Sequence, residues 1–171
     1  MHRSKLIFLF ALLCLLPAAA KTQRLYVYIA LSETCPICKS ITSELRSLDK
    51  LYDDKDVSFI GIFPNSASSN AQTRSAFGKK YKIDFPLLSD SSYRFAQRFK
   101  IHTLPEVIVL DSTLSKIIYR GLIDDSFAAV GKRRSSVSKR YLREALEAYL
   151  TDNSYIAPYT KPVGCILTYP K

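Results

Sequence analysis

Leu25-Tyr26-Val27-Tyr28-Ile29-Ala30-Leu31-Ser32-Glu33-Thr34-Cys35-Pro36-Ile37-Cys38 decides how the rest of this 171-residue chain is read. Its first seven residues are apolar or β-forming, as a buried strand requires. After Cys35 the period changes. Ile37, Ile41, Leu45, Leu48 and Leu51 recur at helical spacing to about Tyr52, and Pro36 suits a first helical turn, where its missing N–H is no loss. The two cysteines therefore stand where a strand passes into a helix. One turn separates their sulfurs, so a disulfide between them can close and open with little backbone movement. The start of a helix carries partial positive charge and unpaired N–H groups, which favour a thiolate at Cys35. Cys35 is expected to attack, and Cys38, deeper in the helix, to resolve the mixed disulfide. Lys39 adds little beyond a solvated charge.

Working outward, Val57–Phe63 reads as a second buried strand, and Pro64-Asn65 opens a Ser/Asn-rich loop running to Asn70. A helix over about 71–81 follows, so the two strands should be parallel, joined by a right-handed crossover. After the connection Asp84–Leu88, Ser91 to Phe99 suits a short helix capped by Asp90 or Ser91. Glu106–Leu110 and Lys116–Arg120 are strand-like runs on either side of the polar stretch Asp111–Ser115, which predicts an antiparallel hairpin. Ser138 to Leu150 is amphipathic, with Tyr141, Leu142, Ala145, Leu146 and Tyr149 on one face. The tail from Thr151 holds three prolines and no periodicity.

Upstream of the opening strand, residues 1–20 have the form of a secretory signal peptide. His2, Arg3 and Lys5 precede the apolar run Leu6–Leu16, and Ala18-Ala19-Ala20 offers a cleavage site. That run is shorter than the roughly 20 residues needed to span a bilayer, which favours cleavage over anchoring. Membrane contact is then expected only through this segment if it stays uncleaved. Cys14 lies within it and follows Leu13 rather than a small residue, so lipid attachment is not expected. Residues 21–171 suit one domain, exported to a periplasm or secreted. Of the four cysteines, Cys35, Cys38 and Cys165 would remain, a reactive pair plus one more thiol rather than a disulfide scaffold. The net charge of +10 is spread along the chain with only a minor cluster at Lys132-Arg133-Arg134, and no nucleic-acid motif accompanies it.

The element order β-α-β-α-(α)-β-β-α, with a C-x-x-C after the first strand and Leu104-Pro105-Glu106 before the third, resembles the thioredoxin superfamily. Cys35-Pro36, Phe85–Asp90, Pro105–Asp111, Tyr119–Asp125 and Gly164-Cys165 bring the likeness closer to exported redoxin or alkyl-hydroperoxide-reductase-like domains, over almost the whole chain after residue 20. The resemblance implies an α/β fold with a central mixed sheet flanked by helices, and a cis Pro105 facing Cys35 and Cys38. It implies that Leu104 presents its backbone to an incoming substrate cysteine. The activity implied is exchange of disulfides with protein thiols and disulfides, sustained by a reducing or oxidising partner protein, without a cofactor.

Two alternatives stay open. A peroxide reductase would use Cys35 as the peroxidatic thiol. The P-x-x-x-T-x-x-C pattern of peroxiredoxins is met only in part, with Ser32 at the hydroxyl position and Tyr28 in place of proline. A non-enzymatic module with a static Cys35–Cys38 clip, or one that binds copper, is the other. Copper chaperones of this fold use a wider cysteine spacing, and a zinc site lacks ligands beyond Cys165 and His102. Many thioredoxins bury an acid before the motif. Ile29 and its neighbours are apolar, so Glu33 or Glu106 would have to serve. Cys165 would either approach Cys35 as an extra resolving thiol or pack as a small apolar residue. His102 is read as a bystander.

Overall fold

The computed structural model describes residues 24–64, 69–152 and 154–170, so the expected export segment and Cys14 lie outside the described residues. Strand β1 (Leu25–Ala30) is the centre of a five-stranded mixed sheet ordered β3-β2-β1-β5-β6. It pairs in parallel with β2 (Val57–Phe63) and antiparallel with β5 (Glu106–Asp111). The outer strands are β3 (Leu87–Ser89), parallel to β2, and β6 (Lys116–Gly121), antiparallel to β5. Leu25, Val27, Ile29, Val107, Ile108 and Val109 have no solvent exposure, which is why these strands read as apolar runs.

The helix expected over Pro36–Tyr52 is two helices, α1 (Pro36–Ser40) and α2 (Thr42–Tyr52), meeting at Ile41 with φ −84° and ψ −5°. Ser40 Oγ donates to the Ile37 carbonyl at 2.8 Å and Thr42 Oγ1 to that of Lys39 at 2.8 Å, so hydroxyls compete for helical acceptors at the joint. Helix α3 (Ala71–Tyr81) begins with a reciprocal cap between Asn70 and Thr73. Helix α4 (Arg94–Arg98) starts later than Ser91. The Asp90 carboxylate accepts from the N–H of Phe95 and of Ala96, so it caps the helix across a turn in which Tyr93 takes φ 57°. Helix α5 (Tyr141–Thr151) packs its apolar face beside β6.

Asp111, the last residue of β5, ties this frame together with no exposed surface of its own. It accepts from Tyr149 Oη at 2.7 Å on α5, from Arg24 Nε at 3.2 Å ahead of β1, and from Thr113 Oγ1 and the N–H groups of Thr113 and Leu114. Burial alone would raise its pKa. The hydrogen bonds from Thr113, Tyr149, Leu114 and Arg24 outweigh burial and hold the carboxyl well below the usual carboxylate range. Because the folded pKa is the lower one, this stability is fully present above the unfolded value of about 3.9, declines below it, and is gone once pH has fallen through the folded value. Asp111→Ala strands a buried hydroxyl and a guanidinium, and is expected to cost about 3 kcal/mol in urea titrations at pH 7. The gap between variant and parent should narrow as pH falls below about 4.

The tail is not loose. The N–H of Ala157 donates to the Ile118 carbonyl at 3.0 Å and that of Thr160 to Arg120 at 3.2 Å, so the chain runs beside β6. Thr160 Oγ1 bonds Tyr119 Oη at 2.6 Å and accepts from the Leu122 N–H at 2.8 Å. Gly121 makes this approach possible: it sits at φ +135°, and a Cβ there would lie 2.1 Å from the Thr160 carbonyl oxygen. Beyond this point the tail forms β9 (Cys165–Ile166), which pairs antiparallel with β4 (Thr103–Leu104), a strand so short that it left no periodic signal. A further hairpin, β7 (Phe127–Ala129) with β8 (Lys132–Arg133), displays the basic cluster.

Candidate functional site

Cys35 ends the loop after β1 as the N-cap residue of α1, with extended backbone at φ −75° and ψ 119°. Its Sγ lies 3.5 Å from the Leu104 carbonyl oxygen, and the Leu104–Pro105 peptide bond is cis. The junction of β1 and α1 and the turn before β5 thus meet at one sulfur.

The partner of that sulfur differs from expectation. Cys35 is bonded to Cys165, while Cys38 carries a free thiol with no exposed surface. The cause is the β4–β9 ladder, which sets Cys165 opposite Leu104 and brings its Cα to 6.1 Å from that of Cys35, within the usual disulfide range. Of the two expectations for Cys165, approach to Cys35 is the one realised. Burial pushes the Cys38 thiol up to about 12, with partial relief from the Ser32 backbone N–H and a further rise from the negative charge of Glu33. At pH 7 only about one Cys38 in 10⁵ is then a thiolate. Iodoacetamide labelling of Cys38 in the oxidised protein is expected to be at least about 10³ slower than that of an ordinary cysteine at pH 7, and to rise about tenfold per pH unit. Rapid labelling at neutral pH would contradict this placement.

The accessory candidates fall into two groups. Leu104 touches the disulfide directly. Glu33 turns toward α3, where its Oε1 accepts from Ser69 Oγ at 2.6 Å and Thr73 Oγ1 at 3.1 Å. Glu106 is buried and bonded to Arg120 Nε on β6, so its carboxylate is committed to that pair. Ser32 Oγ is bonded to the Thr34 hydroxyl at 3.0 Å within the loop. The His102 ring packs edge-on against Tyr169, 5.4 Å between centroids. Sequence reasoning gave no role to Thr103, Gly164 or Tyr169, which hold the tail in place. A Cβ on Gly164 would lie 1.9 Å from the Leu104 carbonyl oxygen, and Tyr169 Oη donates to the Ile101 carbonyl. Among the described residues, no group of three or more His, Cys, Asp or Glu is placed to hold a metal ion, and no helix is long and apolar enough to cross a membrane.

A five-stranded mixed sheet flanked by helices, with a cysteine at the first helix start facing a cis proline, defines a thioredoxin-like thiol redox protein. The chain belongs to the Redoxin family, whose sequence model matches residues 16–132, and it is an oxidoreductase of that family. A crystal structure of an uncharacterized conserved protein from Geobacillus kaustophilus is 25% identical with a TM-score of 0.72, covering 88% of this chain and 79% of that one. One of a hypothetical protein from Sinorhizobium meliloti 1021 is 23% identical with a TM-score of 0.73, over 85% and 79%. A thiol-disulfide oxidoreductase from Bacteroides fragilis NCTC 9343 shares the fold at 20% identity and a TM-score of 0.54, over 79% and 86%. No curated protein matches the chain.

Proposed function

We propose that this protein is an exported thiol–disulfide oxidoreductase that exchanges disulfides with protein substrates. The observation that carries the reading is the Cys35–Cys165 disulfide, seated on Leu104 beside cis Pro105 at a helix start. In the reduced protein the Cys35 thiolate attacks one sulfur of a substrate disulfide and expels the other as a thiolate. A second thiol of the chain then attacks Cys35 Sγ and releases the substrate fully reduced. Cys165 closes the bond found here, and Cys38, one helical turn from Cys35, is the internal alternative once deprotonated. A partner protein resets the pair. Export rests on the signal-like composition of residues 1–20.

The Cys35–Cys165 bond also favours a second reading. A peroxide attacked by Cys35 leaves a sulfenic acid and an alcohol, and condensation with Cys165 expels water to give this same disulfide. Insulin-disulfide reduction and peroxide consumption, run side by side with a thiol donor, separate the two. Insulin turnover above the donor alone, without peroxide consumption, supports exchange. Peroxide consumption without insulin turnover supports the second reading, and inactivity in both refutes each.

A further inference from the structure

The end of the tail lies on the site in the manner of a substrate. Cys165–Ile166 run as β9 along the edge of β4, and Gly164 bends the chain just ahead of them. Cys165 stands opposite Leu104 and is bonded to Cys35, and the N–H of Leu167 donates to the His102 carbonyl at 2.9 Å. We propose that the β4 edge beside Pro105 is a reading groove for extended protein segments of the form apolar-Gly-Cys-any-apolar, and that Val163-Gly164-Cys165-Ile166-Leu167 is its intramolecular occupant. The proposal deepens the disulfide-exchange reading and rests on it.

Each position of the motif follows from a contact. Before the cysteine, a Cβ would lie 1.9 Å from the Leu104 oxygen, 2.6 Å from its carbonyl carbon and 3.1 Å from Pro105 N. All three are backbone atoms in a buried turn, so no flexible side chain can give way, and the position takes glycine. Val163 borders a shallow apolar dent with Ile37, Pro105, Leu122 and Phe127, which asks for an apolar residue ahead of the glycine. The residue after the cysteine is free to vary, since Ile166 is 82% exposed. The next is apolar again, since Leu167 is 8% exposed. Main-chain pairing with β4 supplies register and the alternate pockets supply selection, the usual division of labour when a strand is added to an open edge.

The exchange is balanced. With the protein reduced, the Cys35 thiolate attacks the cysteine sulfur of the incoming segment. The Cys35–segment S–S bond forms, the segment's former disulfide breaks, and its partner leaves as a thiolate that takes a proton from water. Once the main chain of the segment lifts off β4 while its sulfur is still bonded to Cys35, Cys165 returns to the vacated edge, attacks Cys35 Sγ, restores the bond seen here and releases the segment as a thiol. The two electrons gained by the substrate come from Cys35 and Cys165.

The test uses the full chain carrying Cys14→Ser, Cys38→Ala and Cys165→Ser, which leaves Cys35 as its one thiol. Two peptides, acetyl-Val-Gly-Cys-Ile-Leu and acetyl-Val-Ala-Cys-Ile-Leu, are offered as mixed disulfides with glutathione, and mass spectrometry reads whether Cys35 acquires peptide or glutathione. The peptide-to-glutathione ratio is expected to be at least about tenfold higher for the glycine peptide. Equal ratios overturn the groove. If Cys35 reacts with dithiobis(nitrobenzoate) but takes neither peptide, the groove fails and the exchange reading stands; if it reacts with none of these disulfides, the exchange reading fails as well. A second variant guards against misfolding of the first. Gly164→Ala in the otherwise unaltered chain is expected to lower about tenfold the fraction of Cys35–Cys165 disulfide formed with oxidised glutathione, and an undiminished fraction overturns the steric rule.

Discussion

Cys35→Ser is expected to lower insulin-disulfide reduction at least about 10³-fold, the largest effect of any single substitution in this chain. A serine hydroxyl is almost wholly protonated at neutral pH and forms no S–S bond, so the first step has no nucleophile. The other two cysteines should behave differently. Cys165→Ser leaves the attack by Cys35 intact, so a single turnover with dithiobis(nitrobenzoate) should proceed at the parental rate. Release of the substrate then falls to Cys38, whose thiol is pushed up to about 12 by burial. In that variant the release rate should climb about tenfold per pH unit from pH 7 to 9, because only the thiolate attacks. A flat profile would show that Cys38 takes no part in release. Full insulin turnover by Cys35→Ser would remove Cys35 from the chemistry altogether.

Opening the Cys35–Cys165 bond is expected to lower the folding stability of the parent chain by about 3–5 kcal/mol. The bond joins residues 130 positions apart, and the chain-entropy model assigns a loop of that size a large reduction in the freedom of the unfolded chain. For a domain of this length, the midpoint of thermal unfolding should fall by about 10 °C between the oxidised protein and either the reduced protein or Cys165→Ser. Calorimetry of the three forms checks this. A difference below about 1 kcal/mol would mean that the contacts of Thr160, Leu167 and Tyr169 already restrict the tail without the covalent bond.

Most of the frame was legible because burial on both faces writes itself into sequence. Val57–Phe63 is a strand over the residues that composition marks, and Pro36 opens the helix it announces, whereas Asp90 caps a helix that begins at Arg94 rather than at Ser91. The break at Ile41 was not legible, since the apolar stripe Ile37, Ile41, Leu45, Leu48 continues across it and only the hydroxyls of Ser40 and Thr42 hint at competition for carbonyls. Leu87–Ser89 is too short for a period and read as a connection. At the site, the approach of Cys35 to the Leu104-Pro105 step was implied by the resemblance to the thioredoxin superfamily, not by the spacing of the residues. The partner of Cys35 was not legible. It depends on a two-residue ladder between Thr103-Leu104 and Cys165-Ile166, formed by segments far apart in sequence and lacking alternation. Glycine at 164 was visible as a residue, but the reason for it, a carbonyl of another segment in the place of its Cβ, exists only in three dimensions.

The run of tail beside β6 has a consequence for solubility. Strand β6 closes one side of the five-stranded sheet, and backbone donors at Ala157 and Thr160 occupy carbonyls that a neighbouring molecule could otherwise use. A chain cut short before residue 157 would present that flank bare, with Ile117 already partly uncovered, to every other copy in a crowded solution. Loss of the last fifteen residues should therefore be seen first as precipitate, before any assay of thiol chemistry is possible.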